Sequence, residues 1–154
     1  MNVERQDHPG VRIHPPILMA LHLAAALLLG RWIHIPVPFW TMYAGWSAVI
    51  LSMIFALTGL GELIRAHTSP DPHAPTVRVV TKGMYRITRN PIYMGFLLFV
   101  IGLPMVFENI WGAFVSPLMI ALFNRWIIER EEAYLEKKFG ETYTNYKSRV
   151  RRWL

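Results

Sequence analysis

The stretch that decides the fold covers residues 83–95 and reads GMYRITRNPIYMG. It ends a polar loop that carries arginines and opens an apolar segment at Pro91, a residue type that suits the first turn of a helix. Farther along the chain, a second apolar segment runs directly into the charged residues EREE at 129–132. Ionisable groups at such a depth cost free energy and are kept mostly where they bind something. The sequence therefore predicts a binding site where two membrane helices meet water.

Four runs of the chain carry no Asp, Glu, Lys or Arg, and they cover residues 15–30, 35–61, 91–107 and 109–124. A bilayer core requires roughly 20 helical residues, and the shorter runs can extend by a turn into their flanks. A soluble bundle is the alternative, but its helices would show a polar stripe, which residues 44–60 almost lack. We therefore predict an all-α integral membrane protein of one domain, 1–154, with four transmembrane helices at about 16–34, 39–65, 91–107 and 110–139.

The segments outside these helices have distinct characters. The loop at 66–90 contains three prolines in its first half, which predicts an irregular path. The fourth helix continues beyond the membrane as a C-terminal cytoplasmic helical extension, and Gly140 is a suitable C-cap. In the tail at 141–154, aromatic and apolar residues alternate with basic ones, which predicts an interfacial segment.

Basic residues are distributed very unevenly. The chain has 16 Lys and Arg against 10 Asp and Glu, and Arg31 alone falls on the opposite side of the predicted membrane from the others, which include Arg5 and Arg12. The positive-inside rule places both termini and the loop 66–90 in the cytoplasm. Topology and anionic lipids account for these charges, so no nucleic-acid partner is predicted. The short chain favours a bacterial inner membrane, and the oligomeric state is left open.

Several chemistries receive no support from the sequence. The absence of cysteine excludes disulfides, thiolate zinc sites and thiol catalysis. The six histidines show no metal-ligand spacing, so we predict no metal site. His22 is interpreted as a hydrogen-bonding partner in helix packing rather than a proton relay. Residues 59–61 read GLG, half of a dinucleotide fingerprint, but no strand precedes them.

The polar residues beside the third and fourth helices suggest a ligand site. Arg89 precedes a helix N-terminus with unpaired N–H groups, and together they favour a carboxylate or phosphate. The alternative is that Arg89 extends to lipid phosphate. On the fourth helix, the spacing i, i+4, i+7 predicts that Arg125, Glu129 and Glu132 share one face. Glu129 is interpreted as part of a salt-bridged helix end, whereas residues 131 and 132 are expected to face Arg89.

These motifs together resemble a known family. The segments TKGMYR at 81–86 and RNPIYMG at 89–95, followed by EExxLxxxFGxxYxxY at 131–146, resemble the isoprenylcysteine carboxyl methyltransferase family. That family belongs with the phospholipid N-methyltransferases among the integral membrane methyltransferases. The resemblance covers about residues 65–154, including DPHxPT at 71–76, and the first two helices carry no signature. It implies a fold without a Rossmann domain, in which S-adenosylmethionine binds between the last helix pair and its cytoplasmic extensions.

The resemblance also implies particular site residues. Arg89 with the helix N–H groups suits the carboxylate of the cofactor, and Glu131 or Glu132 suits its ammonium or ribose hydroxyls. Asn90 stands where the family more usually has histidine, so this candidate catalytic residue can hydrogen-bond but cannot titrate near neutral pH. Arg125 is our second catalytic candidate, for orienting an acceptor carboxylate or headgroup. The expected cofactor-binding residues are His73, Tyr85, Arg89, Asn90, Pro91, Tyr93, Gly95, Glu131 and Glu132.

The predicted function is methyl transfer from S-adenosylmethionine to a lipophilic acceptor. The acceptor would be an isoprenylcysteine carboxylate, another lipid or a small hydrophobic acid, amine, phenol or thiol. One alternative is an NADPH-dependent membrane reductase of the sterol type, but the adjacent Glu131 and Glu132 disfavour such an anionic dinucleotide. A non-catalytic scaffold or transporter is the other alternative, and few intramembrane charges are present to form an ion path.

Overall fold

The computed structural model describes residues 7–154, so Arg5, which contributes to the charge asymmetry, lies outside the described residues. These residues form α1 (Pro15–Trp32), α2 (Thr41–Arg65), a 3₁₀ turn (Gly83–Arg86), α3 (Pro91–Val106), α4 (Trp111–Phe123), a π-helical segment (Asn124–Ile128), α5 (Glu129–Phe139) and α6 (Glu141–Arg149). Between residues 7 and 154 no β-strand forms, and one isolated bridge joins Thr88 to Arg151. The prediction of an all-helical fold is confirmed.

Three helices of the described chain are long and apolar enough to cross a membrane: Pro15–Trp32, Thr41–Arg65 and the continuous helix Trp111–Phe139. The third predicted span, at 91–107, corresponds to α3, which has 16 residues, slightly fewer than a bilayer core requires. The lengths and compositions of these helices support an integral membrane protein, and three of them meet the criterion for a span.

The core of the bundle lies between α3 and the long helix formed by α4, the π-helical segment and α5. Val100 of α3 packs there with Phe123, Ile127 and Ile128, all fully buried, and Leu18 joins them from α1. Near this core, His22 Nδ1 lies 2.8 Å from the carbonyl oxygen of Leu18. His22 is therefore hydrogen-bonded within its own helix, which agrees with a packing role.

Helices α2 and α3 approach each other closely because glycines lie at their crossing. A Cβ atom built on Gly95 would lie 2.8 Å from the carbonyl oxygen of Ser52 and 3.0 Å from the Cβ of Ala56, both on α2. Small residues allow membrane helices to pack backbone against backbone. Gly95 thus makes room for the neighbouring helix rather than for a ligand.

We expect Gly95→Ala to destabilise the protein by about 1–3 kcal/mol, because the added methyl group has no space unless α2 and α3 move apart. Gly61→Ala is the matched control, since a Cβ on this helical glycine of α2 meets no atom within 4 Å. Thermal denaturation in detergent measures the stability of both variants. Equal melting temperatures for the two would contradict the close packing at Gly95.

Candidate functional site

A cavity of about 570 Å³ lies where α3 begins. Its walls come from the start of α3, from α2, α5 and α6, and from the loop between α2 and the 3₁₀ turn. Ligand pockets commonly have volumes of about 300–1,000 Å³, so the cavity is large enough for a cofactor-sized molecule. The polar part of its wall combines Arg89, Asn90, Glu131 and Glu132. The structure thus brings together the two charged stretches that the sequence singles out.

Glu132 is the centre of a buried charge cluster and is only 5% exposed. Its Oε1 lies 3.0 Å from Arg89 Nη2. Arg152 donates to both carboxylate oxygens, at 3.0 Å from Nε and 2.7 Å from Nη2, and Lys147 Nζ lies 3.4 Å away. The sequence predicts that Arg89 and one of the two glutamates hold opposite ends of a ligand. In the structure, Arg89 and Glu132 contact each other instead. Lys147 lies closer still to Glu136, at 2.6 Å, so three cations meet two carboxylates and this cluster retains one positive charge.

Arg89 retains hydrogen-bonding capacity that the protein does not use. Its side chain is 9% exposed, and its Nε and Nη1 have no hydrogen-bond partner among residues 7–154. Buried donors without partners cost free energy, and charged donors cost the most. No side chain caps the N-terminus of α3, which follows directly. These unpaired donors therefore form a site suited to a carboxylate or phosphate.

Glu131 forms a different arrangement on the same part of α5. The hydroxyl of Tyr93 donates to its Oε1 at 2.6 Å, and the Tyr93 ring packs edge-on against Phe123 at 5.2 Å between centroids. In contrast to Glu132, Glu131 forms no salt bridge within residues 7–154. Its carboxylate is the better candidate for binding a cationic group of a ligand, because its charge is not already compensated.

Tyrosines supply the aromatic part of the wall. Tyr85, Tyr143 and Tyr146 line the cavity, and the hydroxyl of Tyr146 donates to the carbonyl oxygen of Tyr85 at 2.7 Å. Burial raises the pKa of all three phenols above the usual value, so they are neutral at physiological pH. The cavity therefore offers neutral hydroxyls and ring faces beside its charged groups.

The residues that follow α6 fold back onto the start of α3. The carbonyl oxygen of Arg152 accepts hydrogen bonds from Thr88 Oγ1 and from Asn90 Nδ2, both at 2.9 Å, and Arg89 N donates to Arg151 O at 2.9 Å. The bidentate hydrogen bond to Glu132 raises the pKa of Arg152, which stays protonated. Trp153 Nε1 donates to Asn124 Oδ1 at 3.1 Å. The segment 150–153 thus fastens the Arg89 loop to the α5 helix.

This C-terminal segment changes the interpretation of two predicted features. Asn90 lines the cavity, but its side-chain amide is used to hold the C-terminal segment, which is a positioning role. The tail at 141–154 is expected at the membrane interface, yet Tyr143 and Tyr146 are buried against the site.

Arg152 and Lys147 were missed as site residues because basic residues near the membrane have a sufficient explanation in topology. The only local signal was that Lys147 and Arg152 lie close in sequence to Tyr143 and Tyr146.

Three predicted site residues lie away from the cavity wall. The side chain of Arg125 is 79% exposed and pairs with Glu129 at 3.0 Å. The spacing argument fails for Arg125 because the π-helical segment changes the helical register before Glu132, so the expected common face does not continue. Gly95 contacts α2 instead. His73 lies at the rim, with its ring 4.4 Å from that of His14.

The sequence of this chain is similar to those of several known proteins. The sequence profile of the family described as "Phospholipid methyltransferase" matches residues 40–142. Protein-S-isoprenylcysteine O-methyltransferase B of Arabidopsis thaliana is 31% identical over 117 residues, covering 72% of this chain and 57% of that protein. Protein-S-isoprenylcysteine O-methyltransferase of Schizosaccharomyces pombe is 35% identical over 72 residues, 47% of this chain and 30% of that protein.

A mammalian protein is also similar to this chain. Protein-S-isoprenylcysteine O-methyltransferase of Mus musculus is 34% identical over 84 residues, 54% of this chain and 30% of that protein. The chain therefore spans between 30% and 57% of the length of these three curated relatives. No solved structure matches the chain.

Proposed function

The chain belongs to the phospholipid methyltransferase family, and from that premise we propose that it is a membrane-embedded methyltransferase that uses S-adenosylmethionine. The observation that carries the proposal is the pair of unpartnered donors on buried Arg89, beside acidic and aromatic residues in one cavity. A zwitterionic nucleoside needs such a set: a cation for its carboxylate, an acid for its ammonium and ring faces for its purine.

The residues divide these roles between two sides of the cavity. An unpaired donor of Arg89, either Nε or Nη1, is suited to the cofactor carboxylate together with the first N–H groups of α3. Glu131, held by the Tyr93 hydroxyl, is suited to the ammonium group because no cation in the described chain neutralises it. Tyr85, Tyr143 and Tyr146 provide stacking surfaces for the purine. When bound, the cofactor supplies an electrophilic methyl group on a sulfonium.

The apolar part of the cavity is suited to a lipophilic acceptor. It is lined by Pro15 and Pro16 at the start of α1, by Leu57 and Leu60 of α2, and by Phe96 of α3. Helix α1 packs on α3 and α4, whereas α2 packs mainly on α3. The first two helices therefore do not close the apolar side of the cavity against each other. We propose that an acyl or prenyl chain enters from the bilayer between α1 and α2.

The site favours a carboxylate as the acceptor group. Methyl transfer to a carboxylate forms an O–C bond and breaks the S–C bond of the donor, which becomes a neutral thioether, and no proton has to be removed. An amine or phenol would require a proton acceptor. Asn90 cannot act as one near neutral pH, and Glu131 is assigned in this proposal to the cofactor ammonium. A prenylated cysteine carboxylate therefore fits this cavity better than an amine headgroup. Exclusion of water favours the reaction because opposite charges are lost in the transition state.

The membrane arrangement completes the proposal. With flanking residues, α3 crosses the bilayer beside the three longer helices, which gives four spans. The distribution of basic residues supports a topology with both termini and the cavity on the cytoplasmic side. We propose that the membrane is a bacterial inner membrane. Helix α5 and the residues after it form the cytoplasmic extension.

Transfer of a radiolabelled methyl group tests this function. Protein in liposomes is incubated with labelled S-adenosylmethionine and a farnesylated cysteine bearing a free carboxylate. We expect a base-labile methyl ester, and the matched farnesylcysteine amide should receive no label. A thermal-shift comparison addresses the alternative reductase: stabilisation by NADPH and none by S-adenosylmethionine would contradict the proposal.

A further inference from the structure

A cluster of two histidines and one carboxylate lies at the rim of the cavity, where α1 begins. His14 is the residue immediately before α1, and Asp71 and His73 belong to the loop that follows α2. Each offers one ligand-type atom, and these three atoms lie within 4.8 Å of one another. The sequence predicted no metal site because His14 and Asp71 are far apart along the chain. The fold brings them together.

Hydrogen bonds within the loop after α2 fix the positions of Asp71 and His73. Asp71 Oδ1 accepts a hydrogen bond from His73 N at 2.9 Å and lies 3.3 Å from His73 Nδ1. Asp71 N donates to Ser69 Oγ at 3.1 Å, which fixes the turn further. Oxygen and nitrogen ligands lie about 2.0–2.2 Å from zinc in tetrahedral sites, so two of them are about 3.3 Å apart. Asp71 and His73 already have this separation.

His14 completes this group of three, and one further imidazole, His8, lies nearby but outside the group. The His14 ring lies 4.4 Å from the His73 ring between centroids, and no residue between 7 and 154 hydrogen-bonds to it. The His8 ring is 6.0 Å from the His73 ring. Its Nδ1 accepts from Gly10 N at 3.1 Å, which leaves Nε2 for another partner. His14 and Asp71 are exposed, so an ion can reach them from solvent.

We propose that His14, Asp71 and His73 bind a divalent transition-metal ion such as Zn²⁺, with His8 as a fourth ligand. Neutral imidazoles together with a carboxylate suit first-row ions of this type. The ion joins the start of α1 to the loop after α2. Because His14 and Asp71 also line the cavity, this link fixes the loop across the cavity rim. The proposal does not depend on methyl transfer.

The test uses the full-length protein in detergent, purified without a histidine tag and stripped with a chelator. Zn²⁺ is titrated by calorimetry, and Co²⁺ serves as a spectroscopic probe because the chain has no cysteine to give thiolate bands. We expect one ion per chain, and His14→Ala and His73→Ala should each weaken binding at least about 10-fold. Zn²⁺ should raise the melting temperature of the unaltered protein and of neither variant.

His34→Ala is the matched control, since His34 is exposed in the connection between α1 and α2, at the other end of α1. It should bind Zn²⁺ like the unaltered protein. Metal-free melting temperatures of all three variants establish that they are folded. Zn²⁺ affinity that is the same in His14→Ala, His73→Ala and His34→Ala would overturn the proposal, as would binding too weak to saturate at millimolar Zn²⁺.

Discussion

Replacement of Arg89 by alanine is expected to weaken S-adenosylmethionine binding by at least about 10-fold. The variant loses a charge-assisted hydrogen bond from Nε or Nη1, and such a bond contributes about 1.5–3 kcal/mol. The fold should persist, because Glu132 keeps Arg152 and Lys147 as partners. Calorimetric titration of the purified variant measures the effect. The affinity of Arg89→Lys for S-adenosylmethionine should lie between those of the unaltered protein and Arg89→Ala, because a lysine keeps the charge but not the planar arrangement of donors.

Arg86→Ala is the matched control for this experiment. Arg86 lies three residues earlier, is exposed and does not line the cavity. Its removal changes the net charge by the same amount, so general electrostatic effects on a charged ligand are equal in the two variants. If Arg86→Ala and Arg89→Ala lowered the affinity equally, Arg89 would contribute only long-range charge, and the proposed carboxylate site would be wrong.

Replacement of Glu132 by alanine is expected to produce the largest loss of stability, about 3–5 kcal/mol. Removing one member of a buried ion pair leaves the other charges uncompensated. Here Arg89 and Arg152 would both lose their carboxylate, with side chains only 9% and 29% exposed. The C-terminal segment would then lose the Arg152 link to α5, while its hydrogen bonds to residues 88–90 would remain. Thermal denaturation should show the loss of stability, and titration with S-adenosylmethionine should show the effect on cofactor binding.

Glu129→Ala serves as the control for Glu132. Glu129 lies on the same helix and pairs with Arg125, but its side chain is 43% exposed, and exposed pairs contribute about 0–1 kcal/mol. We expect a melting temperature close to that of the unaltered protein. A Glu132→Ala protein that melts at the same temperature as Glu129→Ala would show that the buried cluster does not stabilise the site.

The sequence predicted the helices well because long uncharged runs leave little ambiguity. The predicted span at 39–65 corresponds to Thr41–Arg65, and the one at 91–107 to Pro91–Val106. The approach of Arg89 to Glu132 was also predictable, since both residues follow from where apolar runs meet charged ones. These predictions require only hydrophobic periodicity, proline placement and charge distribution.

Other features depend on contacts that have no local signal. The hydrogen bonds from Thr88 and Asn90 to Arg152 join residues more than 60 positions apart, so no spacing rule reveals them. The π-helical segment depends on packing around Ile127 and Ile128, and it separates Arg125 from Glu132. The histidine cluster arises because the start of α1 meets a proline-rich loop. Tertiary contacts determine all three features.

The structure of the protein in complex with S-adenosylmethionine tests the central claim most directly. The account predicts that an oxygen of the cofactor carboxylate lies within about 2.7–2.9 Å of Arg89 Nε or of Arg89 Nη1, the two donors that lack a partner in the protein. Its ammonium should lie next to Glu131 rather than Glu132. A carboxylate bound elsewhere, or an empty cavity at saturating cofactor with both Arg89 donors still unpaired, would contradict the account.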